Sequence, residues 1–430
     1  MNERIKRLRE KSVSVRPYIS PERAILLTRF YKSTASQTVS APMKRALAFR
    51  YLLENKEIYI GEGELVVGER GPAPRATPTY PEITCHSLQD LDILDRREKT
   101  SFKVSEETWQ IYEKEIIPFW RGQTVRERVF SSMTPEWKQA YEEGVFTEFM
   151  EQRAPGHTVL DDKIYKKGFL DFKKDIAKSL ASLDYFNDPE AFRRSEQLKA
   201  MVVAADALIL YAERYARQAR ELAKKEKDPA RKKELKKIAD VCVHVPRNPP
   251  RDFWEALQYY WFVHLGVITE LNPWDSFNPG RLDQHLYPFY KKGLGEGTLS
   301  EEKARELLQA FWVKFNSQPA PPKVGVTAEE SATYTDFCLI NLGGLRPDGS
   351  DAVNELTYLI LDVVEEMRIV QPSSAVQVSK KNPDRFVKRA IQIVKTGFGQ
   401  PSFFNSEAII QEMLRQGKSL EDARQAGLPP

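Results

Sequence analysis

Apolar residues recur every three to four positions through most of this chain, the spacing that places them on one face of a helix. The pattern predicts helices over Ala24 to Thr34, Met43 to Asn55, 105–120, 135–150 and 185–224, the last containing a long amphipathic stretch from Leu198 to Arg217. Asp228 followed by Pro229 is an N-cap with proline at the first helical position, and it starts a further helix to about Val241. Asp252 to about Gly266 is apolar almost all round and reads as a buried core helix. Thr298 with Glu301 is read as the capping box of a helix over 300–315.

Three stretches break this periodicity. Residues 58–68 combine short β-branched runs with Gly61, Gly63 and Gly68, the texture of a strand or an extended loop. Residues 71–82 hold four prolines, which fix φ and remove donors, so an ordered extended segment is expected. From about 330 the order becomes strand (Thr335 to Asn341), helix (Asp351 to Arg368), strand (Ala375 to Ser379), helix (Asp384 to Lys395) and a helix starting near Asn405. Strand and helix in alternation imply parallel pairing with helices outside. The expected class is therefore α/β, with a large helical N-terminal portion over about 1–330 and a sheet beginning over about 331–430.

Composition narrows the picture by exclusion. The chain has 430 residues, 41% of them hydrophobic and 29% charged, ordinary for a globular protein. Its 65 basic and 61 acidic residues are interleaved, as over Glu221 to Asp240, which argues against a nucleic-acid or membrane-surface partner. The N-terminus carries no signal-peptide pattern, and the most apolar stretch, Ala256 to Leu271, is too short to span a bilayer. Cys85, Cys242 and Cys338 have no CxxC spacing, which fits a reducing cytoplasm and makes them poor metal ligands. The five histidines, His86, His157, His244, His264 and His285, show no metal-ligand spacing either. Walker A, GxGxxG, HExxH and GxSxG signatures are missing from the sequence. Pattern and composition by themselves leave the function open.

Several segments taken together change that. They are Gly63 to Glu69; Pro155-Gly156-His157 with Asp161, Asp162 and Gly168; and Ser276-Phe277-Asn278-Pro279-Gly280-Arg281-Leu282-Asp283-Gln284. They continue with Gly343-Gly344, Pro347-Asp348-Gly349 and Asp351 to Glu355; Pro401 to Asn405; and Gly417-Lys418-Ser419 with Glu421-Asp422-Ala423-Arg424. In this order and spacing, over roughly residues 10–426, the chain resembles the N-terminal half of a glycyl radical enzyme of the pyruvate formate-lyase and glycerol dehydratase superfamily.

The resemblance implies the first half of an α/β barrel, truncated. In the family, the Glu-Asp-Ala-Arg segment leads into a loop whose cysteine forms a thiyl radical, and a glycine near the C-terminus stores the radical. Neither matches a residue of this chain, so no catalytic residue is assigned within it. The implied reaction is cleavage of a C–C, C–O or C–S bond in a small anaerobic metabolite by hydrogen abstraction. The other reading is a non-catalytic fragment or scaffold half that needs a second polypeptide.

The resemblance also implies partners and a pocket. A radical-SAM activating enzyme would install the glycyl radical on the missing half, the complete protein would be a homodimer, and this half would bind no cofactor or metal. His157 matches the Gly-His position that lines the family's pocket, with a helix-capping or core histidine as the bland alternative. Trp274, Asp275 and Ser276 stand where diol dehydratases carry His-Ser, and the tryptophan's bulk weighs against glycerol or another small diol. Asp275 is either a substrate contact or the cap of a turn. Arg281 is expected in a structural ion pair with Asp283 or elsewhere. The departures at Asn316 to Lys323 and Gln371 to Gln377 point to a different substrate, carboxylated or aromatic.

Overall fold

The computed structural model describes residues 1–146, 157–158, 160–271, 277–325, 328–329 and 338–425, with the backbone alone at 157, 158 and 277. The helices follow the apolar spacing. Glu22–Lys32, Ala41–Asn55, Ala191–Lys225, Pro229–His244 and Glu301–Asn316 are all helical. The Asp228 carboxylate caps its helix by accepting from the amides of Ala230 and Arg231, as the Asp-Pro pair predicts. The helix over 301–316 is capped by Ser300, whose hydroxyl accepts from the Lys303 amide. Thr298 is spent on the Gly293 carbonyl that closes the preceding helix, so the expected box at Thr298 does not form.

Phe253–Glu270 is the axis of the molecule: every residue in it except Val267 and Glu270 is buried. A helix apolar on all sides is stable only when other elements wrap it completely. Here they include the long helix Ala191–Lys225, the helix Glu301–Asn316 and the loop 61–70. That loop is extended but belongs to no strand, because its hydrogen bonds go to side chains instead of a neighbouring backbone. Trp254 and Trp261 donate indole N–H groups to the carbonyls of Leu65 and Gly68. Gln258 both accepts from the Val67 amide and donates to its carbonyl. These three lie along one face of the helix and do the work of a partner strand. Gly68 has φ +124°, and a Cβ there would sit 2.5 Å from Leu265, so only glycine lets the loop approach this closely.

A buried charge cluster locks the same loop to the end of helix Glu301–Asn316. The Lys314 ammonium lies 3.1 Å from Glu64 and also bonds Glu69, whose other oxygen accepts from Gln318. One ammonium faces two carboxylates away from water, and burial pushes Glu69 up to about 7 in spite of Lys314. Between its ordinary value of 4.5 and about 7, the folded chain keeps a proton that the unfolded chain has lost. Unfolding then releases a proton, so this group makes stability fall as pH rises through that window. Glu69→Gln is expected to flatten the fall, which thermal melts at intervals from pH 4.5 to 7 would show. An unchanged slope would remove Glu69 from the account.

Seven strands are present among the described residues, all in parallel pairs. β1 (Tyr18–Ser20) pairs with β2 (Ala76–Pro78), β3 (His157–Thr158) with β4 (Phe277–Asn278), and β5 (Leu339–Gly343) with β6 (Ser373–Val378) and then β7 (Ser402–Asn405). A bridge between Gly280 and Ile340 joins β4 to β5, so β3 to β7 form one parallel run. The first strand expected in this region begins at Leu339, later than expected; residues 335–337 lie outside the described residues. β7 was not expected as a strand, only as part of a motif before a helix. The helix expected from Asp351 starts at Glu355, because Asn354 takes the cap while Asp351 bonds the Val353 amide and the Asn382 side chain.

Ile340, Leu342 and Val376 pack under the helices Glu355–Met367 and Asp384–Val394 in the main core. The chain is thus a helix-rich α/β protein. Among the described residues, no helix is long and apolar enough to cross a membrane.

Candidate functional site

Parallel pairing brings together segments far apart in sequence. His157 lies opposite Phe277 in the β3–β4 register. The backbone at 157 is therefore beside the end of the segment that carries Trp274, Asp275 and Ser276. Those three residues lie outside the described residues, as does the side chain of His157.

What frames this place is well defined. The central helix delivers the chain to it, and the last turn of that helix is held by cations and a hydroxyl. Tyr80 donates its hydroxyl to the Ile268 carbonyl, and Arg23 donates Nε to Thr269 O at 2.7 Å. Arg23 is itself held by Glu82 at 2.6 and 3.1 Å and stacks 3.9 Å over the Tyr80 ring. Arg45 donates Nε to Glu270 at 2.7 Å. Positive charge at a helix C-terminus satisfies the last carbonyls and suits the dipole.

Beyond β4, the Asn278 side chain accepts from the Leu339 amide at 2.8 Å, and the Asn341 amide donates to Gly280 O at 2.9 Å. These two bonds tie β4 to β5. Arg281, expected in an ion pair with Asp283 or elsewhere, does not meet Asp283 as one. Arg281 donates to the carbonyls of Gly343 and Arg424, while Asp283 accepts from the Gly343 amide and the Thr357 hydroxyl. Both are buried and converge on Gly343, the guanidinium on its carbonyl and the carboxylate on its amide. Past them, His285 reaches Asp161 at 3.2 Å.

Side chains alternate across a strand, so the partners of the core-facing residues share the other face. That face carries Leu339, Asn341 and Gly343 on β5, Ser373, Ala375 and Gln377 on β6, and Ser402 and Phe404 on β7. Between Leu339 at one end and Phe404 at the other it is made of small and polar residues, where the helix-facing side is mostly apolar. Asn341 is buried, yet its Oδ1 has no hydrogen-bond partner among the described residues. Two hollows flank the strand run. One, of about 580 Å³, lies between Leu160 and Leu271, over Phe49, Met201, Val263 and Val267. The other, of about 410 Å³, lies past the ends of β3 to β5 and is lined by Asp161, Tyr165, Arg281, His285 and Arg346.

Two of the three thiols are held protonated by burial. Burial pushes Cys85 up to about 12, with Glu127 and Asp90 adding to the effect, and burial raises Cys242 as well. Cys338, just before β5, lies 3.9 Å from His264 Nε2. His264 is lowered to about 3 by burial and then by nearby Arg70, so it is neutral and cannot stabilise a thiolate. Among the described residues, no three His, Cys, Asp or Glu side chains converge as a metal site.

Sequence reasoning did not single out Arg23, His285 or Asn341, and it noted Asp161 only as part of a motif. A lone arginine or histidine has no local pattern that reveals a partner far along the chain, and a lone asparagine none that reveals its burial.

Comparison with known proteins agrees with this architecture. The family model described as pyruvate formate lyase-like matches residues 1–428. The trans-4-hydroxy-L-proline dehydratase of Clostridioides difficile is 54% identical over 425 residues, covering 99% of this chain and 54% of that protein. The isethionate sulfite-lyase of Nitratidesulfovibrio vulgaris is 32% identical, covering 98% of this chain and 52% of its own length. The crystal structure of the Clostridioides difficile hydroxyproline dehydratase, with trans-4-hydroxy-L-proline bound, superposes with a TM-score of 0.95 over 99% of this chain and 54% of that one. The chain thus spans about half the length of the relatives it matches.

Proposed function

Because the chain belongs to the pyruvate formate lyase-like family of glycyl radical enzymes, we propose that it forms the substrate-holding half of a radical dehydratase acting on trans-4-hydroxy-L-proline or a close hydroxylated cyclic amino acid. The observation that carries this reading is 54% identity to a dehydratase of that substrate over nearly the whole chain, against 32% for a relative that cleaves a C–S bond. The elements that frame the candidate site all lie inside the matched region.

Dehydration breaks a C–O bond and releases water with no net oxidation. The protein must hold the ring so that one hydrogen is presented to the thiyl radical while the hydroxyl is free to leave. His157 would donate or accept a hydrogen bond at the hydroxyl or the carboxylate, and Asp275 and Ser276 would take the remaining polar groups. Trp274 would add a wall that a cyclic substrate fills better than a small diol does. Water and stray donors must be kept out, since either would quench the radical. The radical cysteine and glycine would come from the half of the relatives' length that this chain does not span, with a radical-SAM activating enzyme as partner and a homodimer as the complete form. A scaffold half completed by a second polypeptide is the second reading, favoured by the exposed strand β7.

The test is anaerobic complementation. The chain is incubated alone, or with a polypeptide carrying the relative's second half, together with activating enzyme, S-adenosylmethionine and trans-4-hydroxy-L-proline. The chain alone should show no glycyl doublet in the EPR spectrum and no dehydrated product by mass spectrometry. The complemented pair should show both. In it, His157→Ala and Asp275→Ala should each lower turnover about ten- to a hundredfold at unchanged radical yield, the cost of one lost hydrogen bond to a buried polar group. A radical without turnover of this substrate would end the substrate assignment. A doublet from the chain alone would end the assignment of the radical residues.

A further inference from the structure

We infer that Asp161 and His285 form a positioning pair that sets where His157 stands. The inference rests on the reading of His157 as a substrate contact. β3 and β4 are two residues each, too short to hold their own register by backbone bonding. Something outside the strands must hold it, because a slip of one residue turns every side chain to the opposite face.

The structure places one link at that point. Asp161 follows β3 by three residues, and His285 ends the short helix Leu282–His285 that follows β4. Their side chains meet at 3.2 Å, joining the two chain segments just past the two strands. The backbone leading to Asp161 is costly to hold: Leu160 and Asp161 have φ of +55° and +51°, two consecutive left-handed residues neither of which is glycine. Such a conformation persists only where surrounding contacts determine it.

The imidazole is fixed for the task. It is largely buried, its ring lies against Tyr165 with centroids 5.4 Å apart, and its Nδ1 has no hydrogen-bond partner among the described residues. Asp161 is the partner of its other nitrogen. The hydrogen bond from His285 also holds the Asp161 carboxyl below its ordinary value, so the bond favours the ionised acid. Asp161 itself is 60% exposed, so removing its carboxylate opens no cavity.

The experiment uses this chain as it is, with its five histidines labelled at Cε1 for NMR. His157 is assigned by its loss in His157→Gln. Asp161→Ala and His285→Ala should each shift the His157 resonance and speed amide exchange at 157–158 about tenfold, the loss of one charge-assisted bond. Asp161→Asn and His285→Gln keep an acceptor and a donor in place and should restore the parent values. His86, His244 and His264 should not move. An unmoved His157 resonance in both alanine variants would overturn the inference, as would equal movement of all the histidines. Adding trans-4-hydroxy-L-proline to the parent chain asks the separate question: whether His157 responds to that substrate bears on the proposed function and leaves the pair untouched.

Discussion

Lys314→Met is expected to lower the stability of the chain by ~3–5 kcal/mol, the cost of breaking a buried ion pair by removing one partner. Lys314, Glu64 and Glu69 are all nearly inaccessible to water. Without the ammonium, Glu64 would be left with no cation in the core and Glu69, already raised to about 7 by burial, would keep its proton, with only Gln318 and the Gly61 amide to support the pair. Marginal domains have about 5–15 kcal/mol in total, so the loss removes a large fraction of the margin. The local consequence is as specific as the global one: the loop 61–70 would lose its tie to the helix Glu301–Asn316 while keeping its bonds to Trp254, Gln258 and Trp261. Urea titration at pH 7 measures the loss, and Lys314→Met combined with Glu69→Gln should regain part of it by removing the group that must otherwise hold a proton at that pH. An unchanged midpoint in the single variant would mean that the cluster does not support the fold.

The second large effect is expected in solution. The isolated chain should self-associate through β7. All four residues of β7 are exposed, with Phe403 at 42% and Phe404 at 37% of full accessibility. Among the described residues β7 pairs only with β6, so its outer edge offers unpaired N–H and C=O groups. Exposed apolar residues on an unpaired strand edge template pairing between chains. Ile391 and Val394, on the helix Asp384–Val394, add apolar surface nearby. Size-exclusion chromatography with light scattering should find species larger than 49.5 kDa. Phe403→Lys with Phe404→Lys should return the monomer, since charge on an edge opposes pairing. A sharp monomer peak from the parent chain would show that the edge is closed.

The long helices were legible because their burial is one-sided and repeats every 3.6 residues. The spacing of Leu356, Leu359, Ile360, Val363 and Val364 records a face, and the helix Glu355–Met367 buries that face. The central helix was legible for a related reason: a run from Phe253 to Leu265 so apolar must be enclosed, whatever encloses it. β5 announced itself as an apolar run and β6 as a short strand around Val376, though neither with the right bounds. The ordered motifs along the chain carried the family.

Tertiary structure decided the rest. β3 and β4 are two residues long, and no local pattern shows that His157 pairs with Phe277, 120 positions later. β7 was hidden because its residues are exposed on both faces and so leave no alternation to read. The loop 61–70 read as either a strand or an extended loop, and only the fold shows which: its side chains are buried as a strand's would be, yet its partner is a helix face. Arg281 was expected in an ion pair with Asp283 or elsewhere, because opposite charges two positions apart suggest one, but both side chains bond the Gly343 backbone. Hydrophobic pattern determines that a face must be covered, because water enforces that locally. Which distant backbone covers it, and which carbonyl receives a buried guanidinium, depends on distances that exist only once the chain has closed on itself.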